Sequence, residues 1–140
     1  MRILLAYDGS EFSEKALDRA ITIATKTQAE VDVLSVAADL CLPMTELSVD
    51  QCREVTDAVE RDTKKALEAA VGKLIANQIT ARPLVTTGNP VDKILAAAES
   101  SGTDLIILGS RGRSGARRIL LGSVSARVAE HAKCDVLIVK

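Results

Sequence analysis

Residues 104–123 read Asp-Leu-Ile-Ile-Leu-Gly-Ser-Arg-Gly-Arg-Ser-Gly-Ala-Arg-Arg-Ile-Leu-Leu-Gly-Ser, and residues 124–132 continue Val-Ser-Ala-Arg-Val-Ala-Glu-His-Ala. The unbroken aliphatic run Asp104–Leu108 suits a strand covered on both faces. The stretch after Ser123 reads as a helix. A loop studded with glycine and arginine therefore joins the carboxyl end of a strand to the amino end of a helix. Such a loop suits anions: glycines let backbone N–H groups approach an oxyanion, and a helix start offers unpaired donors and partial positive charge. Ser123 is placed to cap that helix or to donate to a phosphate oxygen.

The plain alternative is a flexible loop with a solvated basic face. Two features argue against it. The segment carries four glycines, Gly109, Gly112, Gly115 and Gly122, more than turning requires. Arg111, Arg113, Arg117, Arg118 and Arg127 also make up half of the chain's arginines.

Working outward, Arg2–Tyr7 is another apolar run without alternation, followed by the turn Asp8-Gly9-Ser10. From Ser13 the apolar residues Ala16, Leu17, Ala20, Ile21 and Ala24 recur at helical spacing. Val31–Val36 reads as a second strand. Ala37–Leu47 holds Pro43 and reads as a loop. Ser48-Val-Asp-Gln51 is a capping-box pattern opening the longest helical signal. Ile79–Thr86 reads as a third strand, set at a sheet edge by Pro83. Asn89-Pro90 starts a helix that Gly102 stops, and Cys134–Val139 is a fifth strand. The order βαβαβαβαβ predicts an α/β fold: an open, five-stranded parallel sheet with helices on both faces. In such sheets ligands bind beyond the carboxyl ends of the strands, where the strand order reverses.

The chain has 140 residues, enough for a single domain spanning 1–140. Its net charge of −1 carries no general polyanion signature, and the lone Tyr7 and Phe12 provide no stacking platform, so no nucleic-acid partner is expected. No apolar run is long enough to cross a membrane, and the first residues run straight into a strand, so a cytoplasmic location is expected. Cys41, Cys52 and Cys134 match neither a CxxC pair nor a zinc pattern and read as reduced structural thiols. His131 has no Ser or Cys partner in view, and no residue is placed as a general base, so no catalytic residue is assigned.

Gly109-x2-Gly112-x9-Gly122-Ser123 resembles the nucleotide motif of the universal stress protein family. The likeness extends over the whole chain, through Asp8-Gly9-Ser10, Gly88-x-Pro90, Leu121–Ser125 and Cys134–Val139. The family often has His where Arg111 stands, and Pro beside the Cys where Lys133 and Asp135 stand. The resemblance implies a Rossmann-like sheet of the adenine nucleotide alpha-hydrolase type, with strand order 3-2-1-4-5. It also implies ATP as ligand, with Mg²⁺ in attendance. Carried over, Gly109, Gly112, Gly122 and Ser123 would meet the phosphates, with Leu108 and Val124 flanking and Arg111 and Arg113 between the glycines. Asp8 would meet the ribose or a nucleotide-bound metal, and Val36 the adenine. A homodimer through strand five, Asp135–Val139, is implied as well. The expected function is ATP-dependent regulation in a stress response. Slow Mg²⁺-dependent hydrolysis, a nucleotide-free dimeric scaffold and cyclic AMP as ligand stand as alternatives.

Overall fold

The computed structural model describes residues 1–37, 41, 46–112 and 121–140. The elements run β1 (Arg2–Ala6), α1 (Glu11–Thr27), β2 (Glu30–Ala37), α2 (Val49–Ala76), β3 (Ala81–Thr87), α3 (Pro90–Ser101), β4 (Leu105–Gly109), α4 (Ser123–His131) and β5 (Asp135–Val139). All strands are parallel, in the order β3-β2-β1-β4-β5. Among the described residues no helix is long and apolar enough to cross a membrane.

Alternation along the central strands divides the core between the two faces. Ile3, Leu5, Val31, Val33 and Ile107 pack against Ala16, Leu17 and Ala20 of α1 and Leu67 and Leu74 of α2. Leu4, Leu34, Ile106 and Leu108 point the other way, against Val91 and Ile94 of α3 and Val128 of α4. Tertiary packing also ties α1 to α2 beside the sheet: Lys73 Nζ lies 2.8 Å from Glu14 Oε2, and the Tyr7 hydroxyl donates to Glu14. The Lys73 hydrogen bond, then that of Tyr7, holds the Glu14 carboxyl below its ordinary range. On the opposite face Asp32, buried in β2, accepts a two-pronged hydrogen bond from Arg82 of β3 at 2.8 and 2.9 Å. These two residues are register partners, so the charge pair helps fix the pairing of the edge strand.

The caps of α2 and α3 follow the sequence closely. Ser48 and Gln51 form the capping box of α2, Asn89 caps α3 with Pro90 at its first position, and Gly102 ends α3 in the left-handed region at φ 63°. The ends of β1, β2, β4 and β5 fall one residue from expectation, and α1 and β3 differ by more at their starts. Helix α1 starts at Glu11 because Ser10 accepts from the Ser13 amide, making Ser10 the cap. Strand β3 begins at Ala81, not Ile79. The Ile79 amide still bonds Leu74 O, and its side chain fills the core beneath α2.

Helix α2 is much longer than the sheet it covers. Its 28 residues span about 42 Å, against about 26 Å for the eight residues of β2. Its buried residues are Leu67, Ala70, Val71 and Leu74, all in the carboxyl half. The amino half therefore overhangs the carboxyl edge of the sheet, with Val49 and Val55 exposed.

Gly109 ends β4 where α1 begins its first turn. A Cβ there would lie 2.7 Å from Phe12 Cβ and 2.8 Å from the Phe12 carbonyl carbon. Only glycine lets α1 settle this close. Gly109→Ala should destabilise the fold by about 1–3 kcal/mol, as overpacking against backbone does. Gly72→Ala, in α2 with nothing within 4 Å, should stabilise it by about 0.5–1 kcal/mol. Urea unfolding of both variants checks this. A Gly109→Ala protein as stable as wild type would contradict the packing.

Candidate functional site at the carboxyl ends of β1 and β4

The order of the strands reverses direction at β1, and its neighbours there are β2 and β4. Ala6 is paired with Leu34 on one side and Leu108 on the other. Two residues further on, past the end of β1, comes Asp8. Tyr7 bridges toward β2: its amide donates to Leu34 O at 2.8 Å, and its carbonyl accepts from the Ser35 hydroxyl at 2.6 Å. The Asp8 turn is thereby held at the sheet edge.

Asp8 itself is exposed. Its Oδ1 accepts from the Ser10 amide at 2.9 Å, an Asx turn that needs Gly9 at φ 78°. The other carboxylate oxygen meets the glycine loop: a Cβ on Gly112 would lie 2.9 Å from Asp8 Oδ2. The glycine thus leaves a notch that the carboxylate occupies. Arg111 lies beside this notch with its guanidinium 5.3 Å from the centre of the Phe12 ring, a cation–π contact that aims the side chain over α1.

The far end of the loop returns to the same place. Ser110 is buried; its amide donates to Val139 O at 2.7 Å, and its carbonyl accepts from the Gly122 amide at 2.6 Å. The buried Ser125 hydroxyl stands 2.9 Å from Ser110 O and 3.0 Å from Gly122 O, closing the loop base with its one proton. A Cβ on Gly122 would sit 3.2 Å from Ser110 O, so a side chain there would crowd the clasp.

The clasp corrects one expectation. Ser123 does not cap α4; Gly122 occupies the cap position with no side-chain cap bond, and Ser123 is the first helical residue. The Gly122–Ser110 bond brings the chain into the helix one residue early. The first turn of α4, with Ser123 exposed and Val124 half-buried, consequently presents backbone N–H groups that no side chain caps.

Of the residues singled out from the sequence, Asp8, Gly109, Arg111, Gly112, Gly122, Ser123 and Val124 come together at this edge. Leu108 is buried in β4, and Val36 lies near the end of β2, packed against the α3 side of the core. Arg113, with Gly115, Arg117 and Arg118, lies outside the described residues. Sequence reading missed Phe12, Ser110 and Ser125. The only available signal was Ser125 three residues after Gly122. Among the described residues no group of three His, Cys, Asp or Glu side chains is gathered for a metal. One carboxylate at the notch suits a cation brought by an anionic ligand, which would supply the other oxygens.

A second concavity, of about 190 Å³, lies at the opposite edge, between the ends of α3 and α4. It is lined by Leu95, Ala98, Ile106, His131 and Cys134, with the Lys133–Glu99 ion pair at 2.6 Å. Burial, with the neighbouring Asp135 charge, pushes the Cys134 thiol up. This cavity sits near the amino ends of the strands, where parallel sheets do not place their ligands.

Comparison with known proteins agrees with this geometry. The model of the universal stress protein family matches residues 1–140. The universal stress protein YxiE of Bacillus subtilis is 35% identical over 148 aligned residues, covering 99% of this chain and 98% of that protein. The structure of UspA from Lactobacillus plantarum superposes with a TM-score of 0.91 at 26% identity, covering 100% of this chain and 97% of that one. A universal stress protein in complex with cAMP superposes at 0.70 with 28% identity, covering 100% and 97%. From its sequence and its fold alike, this chain belongs to the universal stress protein family.

Proposed function

We propose that this protein is a regulatory module governed by an adenine nucleotide, ATP with Mg²⁺ foremost, bound beyond the carboxyl ends of β1 and β4. The observation that carries the reading is the meeting of Asp8 with the notch at Gly112, beside the uncapped first turn of α4. In this reading the backbone of Gly109, Gly112 and Gly122 and the N–H groups at Ser123 and Val124 receive the phosphates. Arg111 and Arg113 add charge-assisted hydrogen bonds. Asp8 accepts a ribose hydroxyl or holds the nucleotide's cation, and the backbone at Val36 meets the adenine, with Leu108 flanking. The cAMP complex of a relative at 28% identity supports an adenine nucleotide as the ligand class and makes cAMP the competitor to test.

Calorimetric titration with ATP–Mg²⁺ and with cAMP tests the reading. ATP–Mg²⁺ should bind more tightly than cAMP. Asp8→Ala and Arg111→Ala should each weaken it about 10- to 150-fold, the loss of one charge-assisted hydrogen bond. Lys133→Ala, at the opposite edge, should leave affinity unchanged. Unaltered affinity in both site variants would overturn the assignment.

The same reading includes a homodimer through β5. That strand is an edge in the single chain, and Val136–Val139 remain half-buried, aliphatic on both faces and without proline. An edge of this kind invites pairing, and one strand meeting its own copy about a two-fold axis satisfies it. Sedimentation at micromolar concentration should give a dimer. A monomer would refute this part.

A further inference from the structure

The expectation of three reduced thiols is corrected by the structure. Cys41 and Cys52 form a disulfide, with Cα atoms 5.6 Å apart, and only Cys134 is free among the cysteines. The bond joins a residue four positions beyond the end of β2 to the first turn of α2, across a sequence separation of 11. It sits where α2 overhangs the sheet. Both cysteines are half-buried, and neither belongs to the two core clusters.

The geometry points to a reversible redox site: Cys41–Cys52 is a disulfide that a dithiol reductant opens without unfolding the domain, releasing the overhanging half of α2. Three features support this. First, the buried contacts of α2 begin at Leu67, so the bond tethers a segment that the core does not hold. A helix half with no fully buried residue depends more on its ends for order. Second, Cys52 lies in the first helical turn, its amide bonded to Ser48 O at 2.9 Å, where the helix end favours a thiolate. Third, the Thr56 hydroxyl stands 3.4 Å from Cys41 Sγ, one turn along the same helix.

The chemistry balances with a dithiol of the dithiothreitol or thioredoxin type. Its thiolate attacks Cys41 Sγ; the disulfide bond breaks, and Cys52 leaves as a thiolate that takes a proton from water. The second thiol of the reductant, as thiolate, attacks its partner sulfur in the mixed disulfide and expels Cys41. Two electrons pass from the dithiol, which ends as a disulfide. A low-molecular-weight disulfide such as oxidised glutathione reverses the exchange. In a reducing compartment a bond like this serves as a sensor more readily than as a permanent staple. None of this depends on the nucleotide reading.

The test combines alkylation with hydrogen exchange on the full chain. Protein prepared without reductant, denatured and treated with iodoacetamide, should take one label, at Cys134. After native equilibration with dithiothreitol it should take three. Amides of residues 52–63 should then exchange at least about tenfold faster, while those of 67–74 stay within about twofold. A Cys41→Ser/Cys52→Ser double variant should exchange like the reduced wild type in either buffer. Three labels without reductant, resistance of the bond to native dithiol, equal exchange in the two states, or failure of the double variant to fold would each overturn the proposal.

Discussion

The carboxyl edge of this protein depends on a side chain that is not there. Because Gly109 carries no Cβ, the backbone of Phe12 can lie within van der Waals contact of the end of β4. That approach brings the start of α1, and the Asp8–Ser10 turn before it, against the loop that leaves β4. Gly112 repeats the device one step out, leaving room for the Asp8 carboxylate. The glycines that read as a cradle for an anion are thus first a condition of the protein's own packing. Both roles are compatible, since each requires backbone to be approached closely. They imply that substitutions in this loop act on stability as well as on binding.

Topology makes the local contact useful. With β2 on one side of β1 and β4 on the other, crossovers leave toward opposite faces and open a crevice between the ends of β1 and β4. Ser110 then fixes the crevice floor through three neighbours: Val139 of β5, Gly122 and Ser125. The end of the sheet, the loop base and the first turn of α4 are held as one unit by these hydrogen bonds.

Much of this was legible in the sequence. Strand and helix types, the Ser48–Gln51 box, the Asn89-Pro90 start and the edge position announced by Pro83 all follow from local rules of dihedral freedom and periodicity. What escaped was non-local. Ser123 has the residue type of a cap, yet a hydrogen bond from Gly122 to Ser110, twelve positions away, decides where α4 begins. Phe12 looked like an incidental aromatic until β4 was set beside it. The cysteines carried no recognisable spacing, because their pairing depends on how the chain returns from β2 to an α2 that is longer than its sheet.

In the proposed function, nucleotide binds at the edge where Asp8 meets the glycine loop. Backbone amide chemical shifts, followed by two-dimensional NMR during titration with ATP–Mg²⁺, test it most directly. Large, saturable shifts are expected at Asp8, Gly9, Gly109, Gly112, Gly122 and Ser123, with those of His131–Cys134 unmoved. Saturable shifts confined to the His131–Cys134 edge, with the Asp8 edge silent, would contradict it.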